Sequence, residues 1–195
     1  MKKIIIIVFA IIASIKVIGQ NPIVQISTEL GDIDVEVYLN KAPITATNFL
    51  AYVDADKYNN QACFYRVVRL DNQPDKVFKI EVIQGGFQED SIIEKNQYTP
   101  IKHETTKETG ILHKDGVISM ARMEPGSASS EFFICIGDQP ELDYNGKRNP
   151  DGQGFAAFGK IIRGMEVVRK IQLLKDNDQY LMNPVKIVSV KRIRQ

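Results

Sequence analysis

The sequence predicts a mainly β domain, in which antiparallel strands form a closed barrel or a sandwich that two helices cap. Most apolar residues recur at every second position, which is the period of a strand with one buried face. Two segments have helical spacing instead. The 195 residues, 44% of them apolar, suit one well-filled core, and no internal repeat or low-complexity tract divides the chain.

The first residues have the pattern of a secretory signal. Two lysines precede an apolar run over residues 4–15, and small residues follow near position 19. This run is shorter than the roughly 20 apolar residues that a spanning helix needs. We therefore expect residues 1–19 to be a cleaved signal peptide, residues 20–195 to form the mature domain in the periplasm, and no stable membrane insertion after cleavage. An uncleaved N-terminal segment that anchors the chain to a membrane is the alternative.

The remaining elements follow from changes of period along the chain. Residues 23–39 alternate about Gly31-Asp32, which predicts a hairpin. Residues 42–58 have helical spacing, and Pro43 suits a first helical turn. A second helix is predicted after Gly164. Further strands are predicted at residues 63–70, 77–83, 116–121, 131–136, 155–162 and 185–193.

Composition and isolated residues exclude several classes of function. The formal net charge is +1, so no global field favours nucleic acid or a membrane surface as a partner. Cys63 and Cys135 lie in apolar runs, and we expect both to be buried without forming a disulfide, although export would permit one. His103 and His113 have no Cys or His at ligand spacing, so no metal site is predicted.

Four short segments, taken in order, are more specific than any one of them alone. They are residues 64–68 (Phe-Tyr-Arg-Val-Val), 83–87 (Ile-Gln-Gly-Gly-Phe), 119–122 with 130–134 (Ser-Met-Ala-Arg and Ser-Glu-Phe-Phe-Ile), and 142–143 with 155–160 (Leu-Asp and Phe-Ala-Ala-Phe-Gly-Lys). Together they resemble the cyclophilins, which are peptidyl-prolyl isomerases. The resemblance extends from about Ile23 to the C-terminus.

This resemblance implies a closed eight-stranded antiparallel barrel, with a helix over each open end and an active site on the outer wall. It also implies rotation about Xaa-Pro bonds without a metal or a cofactor. Arg66 takes the position of the catalytic arginine, and Gln84 that of a glutamine beside the bound peptide. The substrate-binding positions that it implies are Val82, Ala121, Glu131, Phe133, Leu142 and Phe155.

The chemistry explains why an arginine suits this reaction. Resonance gives the peptide bond a rotational barrier of about 18–20 kcal/mol, whereas the two isomers before proline differ by about 0.5–1 kcal/mol. In the twisted transition state the prolyl nitrogen regains a lone pair. A guanidinium aimed at that nitrogen stabilises the transition state more than the planar ground state.

Acidic residues replace the family's usual aromatic or amide residues at Glu81, Glu131 and Glu141. Glu131 and Glu141 predict either an acidic rim that favours basic peptides or a carboxylate partner that weakens the field of Arg66. The segment 69–79 is longer than the family's usual link, and its turn residues predict a protruding hairpin.

Two functions are consistent with these residues. The first is a monomeric isomerase that acts on proline-containing peptides and on unfolded or nascent exported proteins. The alternative is a catalytically weak module that binds proline-containing peptides or acts as a chaperone.

Overall fold

The structure is a computed structural model that describes residues 20–194. The predicted signal peptide, residues 1–19, lies outside the described residues. Within residues 20–194, no helix is long and apolar enough to cross a membrane.

Eight strands of the described residues close into an antiparallel barrel. Around the barrel their order is β1-β2-β7-β5-β6-β4-β3-β9, and β9 returns to pair with β1. That closing pair confirms the barrel and rules out the sandwich. A short strand, β8, pairs with the start of β9. The strands are β1 (Ile23–Thr28), β2 (Gly31–Val37), β3 (Cys63–Val68), β4 (Val82–Gly86), β5 (Val117–Met120), β6 (Phe132–Cys135), β7 (Ala156–Arg163), β8 (Asp176–Asn177) and β9 (Tyr180–Arg194).

The described residues form four α-helices, two more than predicted. These are α1 (Pro43–Asp54), α2 (Asp90–Asn96), α3 (Thr106–Thr109) and α4 (Met165–Gln172). The prediction captured α1 and α4, which bury apolar faces. It missed α2, which has no buried residue, and α3, which is one turn stabilised by a capping box between Thr105 and Glu108. Neither has the apolar periodicity on which the prediction relied.

Two apolar clusters lie on opposite faces of the barrel wall. The main core fills the barrel and includes Phe132 and Phe158, both fully buried. Because side chains alternate along a strand, Phe133 lies on the outer face. We call the group around it the outer cluster; it consists of Val68, Ile80, Val82, Phe133, Cys135 and Leu142, with Ala121 and Phe155 packed against them.

Segment 69–79 connects β3 and β4, which pair antiparallel as in a hairpin, but the predicted second strand is shorter, because β4 begins at Val82 and not at residue 77. Part of the segment is held against the barrel. The Gln73 side chain is 1% exposed and donates to the carbonyls of Arg69 and Ile80, at 2.6 and 2.8 Å. One buried amide therefore satisfies backbone groups that a strand pair would otherwise have bonded.

The cysteines agree with the prediction in part. Both lie within the described residues and neither forms a disulfide. Cys135 is buried, whereas Cys63 is half-buried and its thiol lies 3.1 Å from Gln88 Oε1.

Candidate active site

Arg66 lies on the outer face of β3, beside the outer cluster. Its register partner on β4 is Gln84, whose Oε1 accepts a hydrogen bond of 3.0 Å from Arg66 Nη1. Nε and Nη2 of Arg66 both donate to Gln179 Oε1, at 3.2 and 2.5 Å. Two neutral amide oxygens therefore hold the guanidinium from two sides and leave its charge intact.

Gln179 was not predicted as a site residue. It lies in the turn between β8 and β9 with a φ of +71°, a conformation uncommon for residues other than glycine. Its backbone N–H donates to Asp176 Oδ2, and its Nε2 donates to the carbonyl of Asn72, both at 3.0 Å. Its carbonyl accepts from the Val67 N–H at 2.8 Å. No motif or spacing predicts this contact, since 113 residues separate Gln179 from Arg66.

Tyr65 connects Gln84 to a buried carboxylate. It is the extra residue of a β-bulge, because Phe64 pairs with Gly85 while Arg66 pairs with Gln84. Gln84 Nε2 donates to the Tyr65 hydroxyl at 2.6 Å, and this hydroxyl donates to Glu131 Oε2 at 2.7 Å.

The Glu131 carboxylate accepts further hydrogen bonds on its other oxygen. Oε1 accepts from the Phe87 N–H at 2.8 Å and from Ser130 Oγ at 3.2 Å. Gly86 is required beside it, because a Cβ at that position would overlap the carboxylate. Burial raises the pKa of Glu131, and its hydrogen bonds oppose that shift.

None of the three unexpected acids pairs with Arg66. Glu131 contacts the bulge, because its Oε2 accepts a hydrogen bond from the Tyr65 hydroxyl. Glu141 accepts a hydrogen bond from the backbone N–H of Lys147 at 2.8 Å. Glu81 precedes Val82, and its Oε1 accepts a hydrogen bond of 3.4 Å from Gln172 Nε2 of α4. Among the described residues, no carboxylate lies within salt-bridge distance of Arg66. The predicted carboxylate partner of Arg66 is therefore wrong.

The other predicted residues converge on one surface. Val82, Phe133 and Leu142 belong to the outer cluster, and Ala121 and Phe155 pack against it. The rings of Phe133 and Phe155 meet edge to face, with centroids 5.2 Å apart.

Two polar side chains outside the prediction support these rings. His113 stacks on Phe133 at 5.9 Å and is anchored through Nδ1 to Asp143, at 2.8 Å. Arg122 lies 5.1 Å from the Phe155 ring centroid, and its Nε donates to the carbonyl of Gly154 at 2.9 Å. The Arg122 side chain is itself fully buried.

An apolar surface beside a guanidinium of fixed orientation can hold a proline ring and present a cation to its nitrogen. On the outer wall of a closed eight-stranded barrel, this combination of a cation and an apolar surface defines a peptidyl-prolyl isomerase. Within residues 20–194, no group of three or more His, Cys, Asp or Glu residues is placed to hold a metal ion.

Comparison with known proteins identifies the family. Residues 23–192 match the family model "Cyclophilin type peptidyl-prolyl cis-trans isomerase/CLD". A peptidyl-prolyl cis-trans isomerase of Acinetobacter baylyi is 39% identical over 88% of this chain and 85% of its own. Peptidyl-prolyl cis-trans isomerase A of Dickeya dadantii is 35% identical over the same shares. The chain belongs to the cyclophilin-type peptidyl-prolyl cis-trans isomerases.

A solved structure supports the fold independently. The crystal structure of a cyclophilin-type isomerase of Cryptosporidium parvum, obtained in the presence of the dipeptide Ala-Pro, superposes with a TM-score of 0.68. The two chains are 23% identical, and the match covers 89% of this chain and 99% of that one.

Glu131→Gln is expected to change how stability depends on pH. The pKa of Glu131 is raised in the folded state, so the folded state holds this proton more tightly than the unfolded state. Its contribution to the free energy of unfolding therefore falls as pH rises from about 4. The variant lacks that fall, so its free energy of unfolding relative to that of the wild type should increase as pH rises, measured by urea unfolding.

Glu124→Gln, at an exposed position, is the matched control for the loss of one negative charge. A difference between Glu131→Gln and wild type that stays constant from about pH 4 to pH 8 would contradict this account of the carboxylate.

Gln179→Gly is expected to lower kcat about tenfold, which corresponds to 1.36 kcal/mol, with a smaller change in KM. Glycine adopts a positive φ readily, so the turn is retained while the amide that orients Arg66 is lost. Asp178→Gly is the matched control, because the neighbouring Asp178 also has a positive φ, +49°. Equal kcat in both variants would show that Gln179 does not position Arg66.

Proposed function

We propose that this chain is exported as a monomer and accelerates Xaa-Pro isomerisation in unfolded or nascent exported proteins. In this proposal Arg66 stabilises the twisted prolyl nitrogen, Gln84 holds the substrate backbone, and the outer cluster binds the proline ring. The observation that carries the proposal is the Arg66 guanidinium, held by two amide oxygens beside an apolar surface. The Ala-Pro dipeptide used with the Cryptosporidium relative supports proline-containing peptides as ligands.

The alternative, a weak binding module, rested on acidic residues placed near Arg66. Since Glu81, Glu131 and Glu141 are bonded elsewhere, they give it no support. Glu131 instead helps to orient Gln84 through Tyr65. The geometry favours turnover.

The test of the export role uses the full chain expressed in a bacterial host. We expect the periplasmic fraction to contain a chain that begins at residue 20, with the solution mass of one copy. Catalytic amounts should accelerate the slow, proline-limited refolding phase of an exported protein. An intact N-terminus in the membrane fraction would favour the anchored alternative. Turnover of a short Ala-Pro peptide without faster refolding would contradict the folding role and leave the isomerase activity intact.

A further inference from the structure

The site contains a second arginine whose charge no carboxylate neutralises. Arg148 lies in the loop between Leu142 and Phe155, two residues assigned to the outer cluster. Among the described residues, neither Arg66 nor Arg148 has a carboxylate within salt-bridge distance. Other arginines of the chain do pair with aspartates, namely Arg69, Arg122, Arg163, Arg169 and Arg192.

Arg148 is fixed by the segment that was expected to protrude. Its Nη1 donates to Gln73 Oε1 and to the carbonyl of Phe78, both at 2.9 Å. Gln73 is in turn bonded to Ile80, a member of the outer cluster. The neighbouring Lys147 lies over the Phe78 ring, 5.3 Å from its centroid. The loop and the segment therefore meet at the edge of the outer cluster and place Arg148 there.

The surroundings of Arg148 favour an anion. It is half-buried, and its pKa is lowered first by burial and then by the positive charge of Arg66. Its Nε and Nη2 have no hydrogen-bond partner among the described residues. Three acids of this region have other partners: the Glu141 carboxylate accepts from the Lys147 backbone, Asp71 pairs with Arg69, and Asp143 contacts His113.

We propose that Arg148 binds the carboxylate of an acidic residue that flanks the substrate proline. The proposal rests on the proposed function, because it requires the proline to lie on the outer cluster. A guanidinium fork matches a carboxylate in geometry as well as in charge, and partial burial strengthens the attraction. The preference is opposite to the basic one that an acidic rim would have produced.

The test measures isomerisation rates of short peptides by exchange NMR, which needs no coupled protease. The peptides carry Ala, Glu, Gln or Lys immediately before or after proline; Glu and Gln differ in charge at nearly equal size. We expect Glu to exceed Gln in kcat/KM by about threefold to tenfold at one of these positions, and Lys to be the slowest. The preference should decline at about 1 M NaCl, where the Debye length is about 3 Å.

Variants assign the preference to Arg148. Arg148→Gln should bring the Glu-to-Gln ratio close to one, and Arg148→Lys should retain part of it. Arg169→Gln, which removes the same charge from an exposed site on α4, should leave the ratio unchanged. A further pair of peptides, ending in proline with a free or an amidated carboxylate, separates side-chain carboxylates from chain termini as ligands.

The outcomes distinguish this proposal from the proposed function. Equal Glu and Gln rates at both positions, or a ratio that survives Arg148→Gln, would overturn the carboxylate subsite. A preference confined to the free terminus would overturn its assignment to acidic side chains. No turnover of the Ala peptide would instead contradict the proposed function. The salt titration on the wild-type chain keeps the test decisive if Arg148→Gln fails to fold.

Discussion

Arg66→Ala is expected to lower kcat/KM on a short Ala-Pro peptide by about 100- to 1,000-fold, the range seen when one preorganised transition-state donor is removed from an enzyme. The guanidinium meets a lone pair on the prolyl nitrogen that exists in the twisted state and not in the planar one. Its removal should therefore act mainly on kcat. The measurement is the cis-to-trans rate with the mature chain.

Arg66→Lys separates charge from geometry in this experiment. Lysine keeps the positive charge but lacks the planar fork that bonds Gln84 and Gln179. We expect it to remain at least about tenfold below wild type. Arg169→Ala, which removes an exposed arginine of α4, is the matched control and should retain full activity. A folded Arg66→Ala protein with more than about a third of the wild-type rate would place the chemistry elsewhere.

Alanine substitutions at the neighbouring residues Phe132 and Phe133 are expected to have different main effects, the first on stability and the second on activity. Phe132 is fully buried in the main core, so Phe132→Ala should lower the free energy of unfolding by about 3–5 kcal/mol. Phe133 lies on the outer face, where it would contact the proline ring. Phe133→Ala should lower kcat/KM by about tenfold to 100-fold through the loss of about 1.5–3 kcal/mol of apolar contact.

Phe133→Leu keeps most of the apolar volume and serves as the control for packing, since Phe133 also contacts His113 and Phe155. Urea unfolding and peptide turnover are measured on the same samples. If Phe133→Ala retained full turnover, the outer cluster would not be a substrate surface.

Two aspartates contribute to the free energy of unfolding with a pH dependence opposite to that of Glu131. Asp34 and Asp176 have lowered pKa values: burial raises them, but all their hydrogen bonds together with the positive charges of Arg163 and Arg69 more than offset it. Their contributions are lost as pH falls. The Glu131→Gln difference is therefore informative, because it subtracts these shared terms.

The sequence by itself predicted a mainly β domain and the helices α1 and α4. These follow from period, because burial of one face of a strand or helix leaves a regular pattern of apolar residues. The closed barrel, the arginine on β3 and the glutamine on β4 were implied instead by the segments that resemble the family.

Tertiary structure alone decided how Arg66 is held and what surrounds it. Gln179 reaches Arg66 across 113 residues, and Arg148 is placed by Gln73, which is 75 residues away. The hydrogen bond between Tyr65 and Glu131 depends on a β-bulge that turns the Tyr65 side chain towards the carboxylate. Polar contacts of this kind produce no periodic pattern in a sequence. Each hydrogen bond needs only one donor and one acceptor, and the closed barrel brings them together from distant positions in the chain. The sequence thus predicted the frame and the reacting groups, while barrel closure decided their orientation and their hydrogen-bond partners.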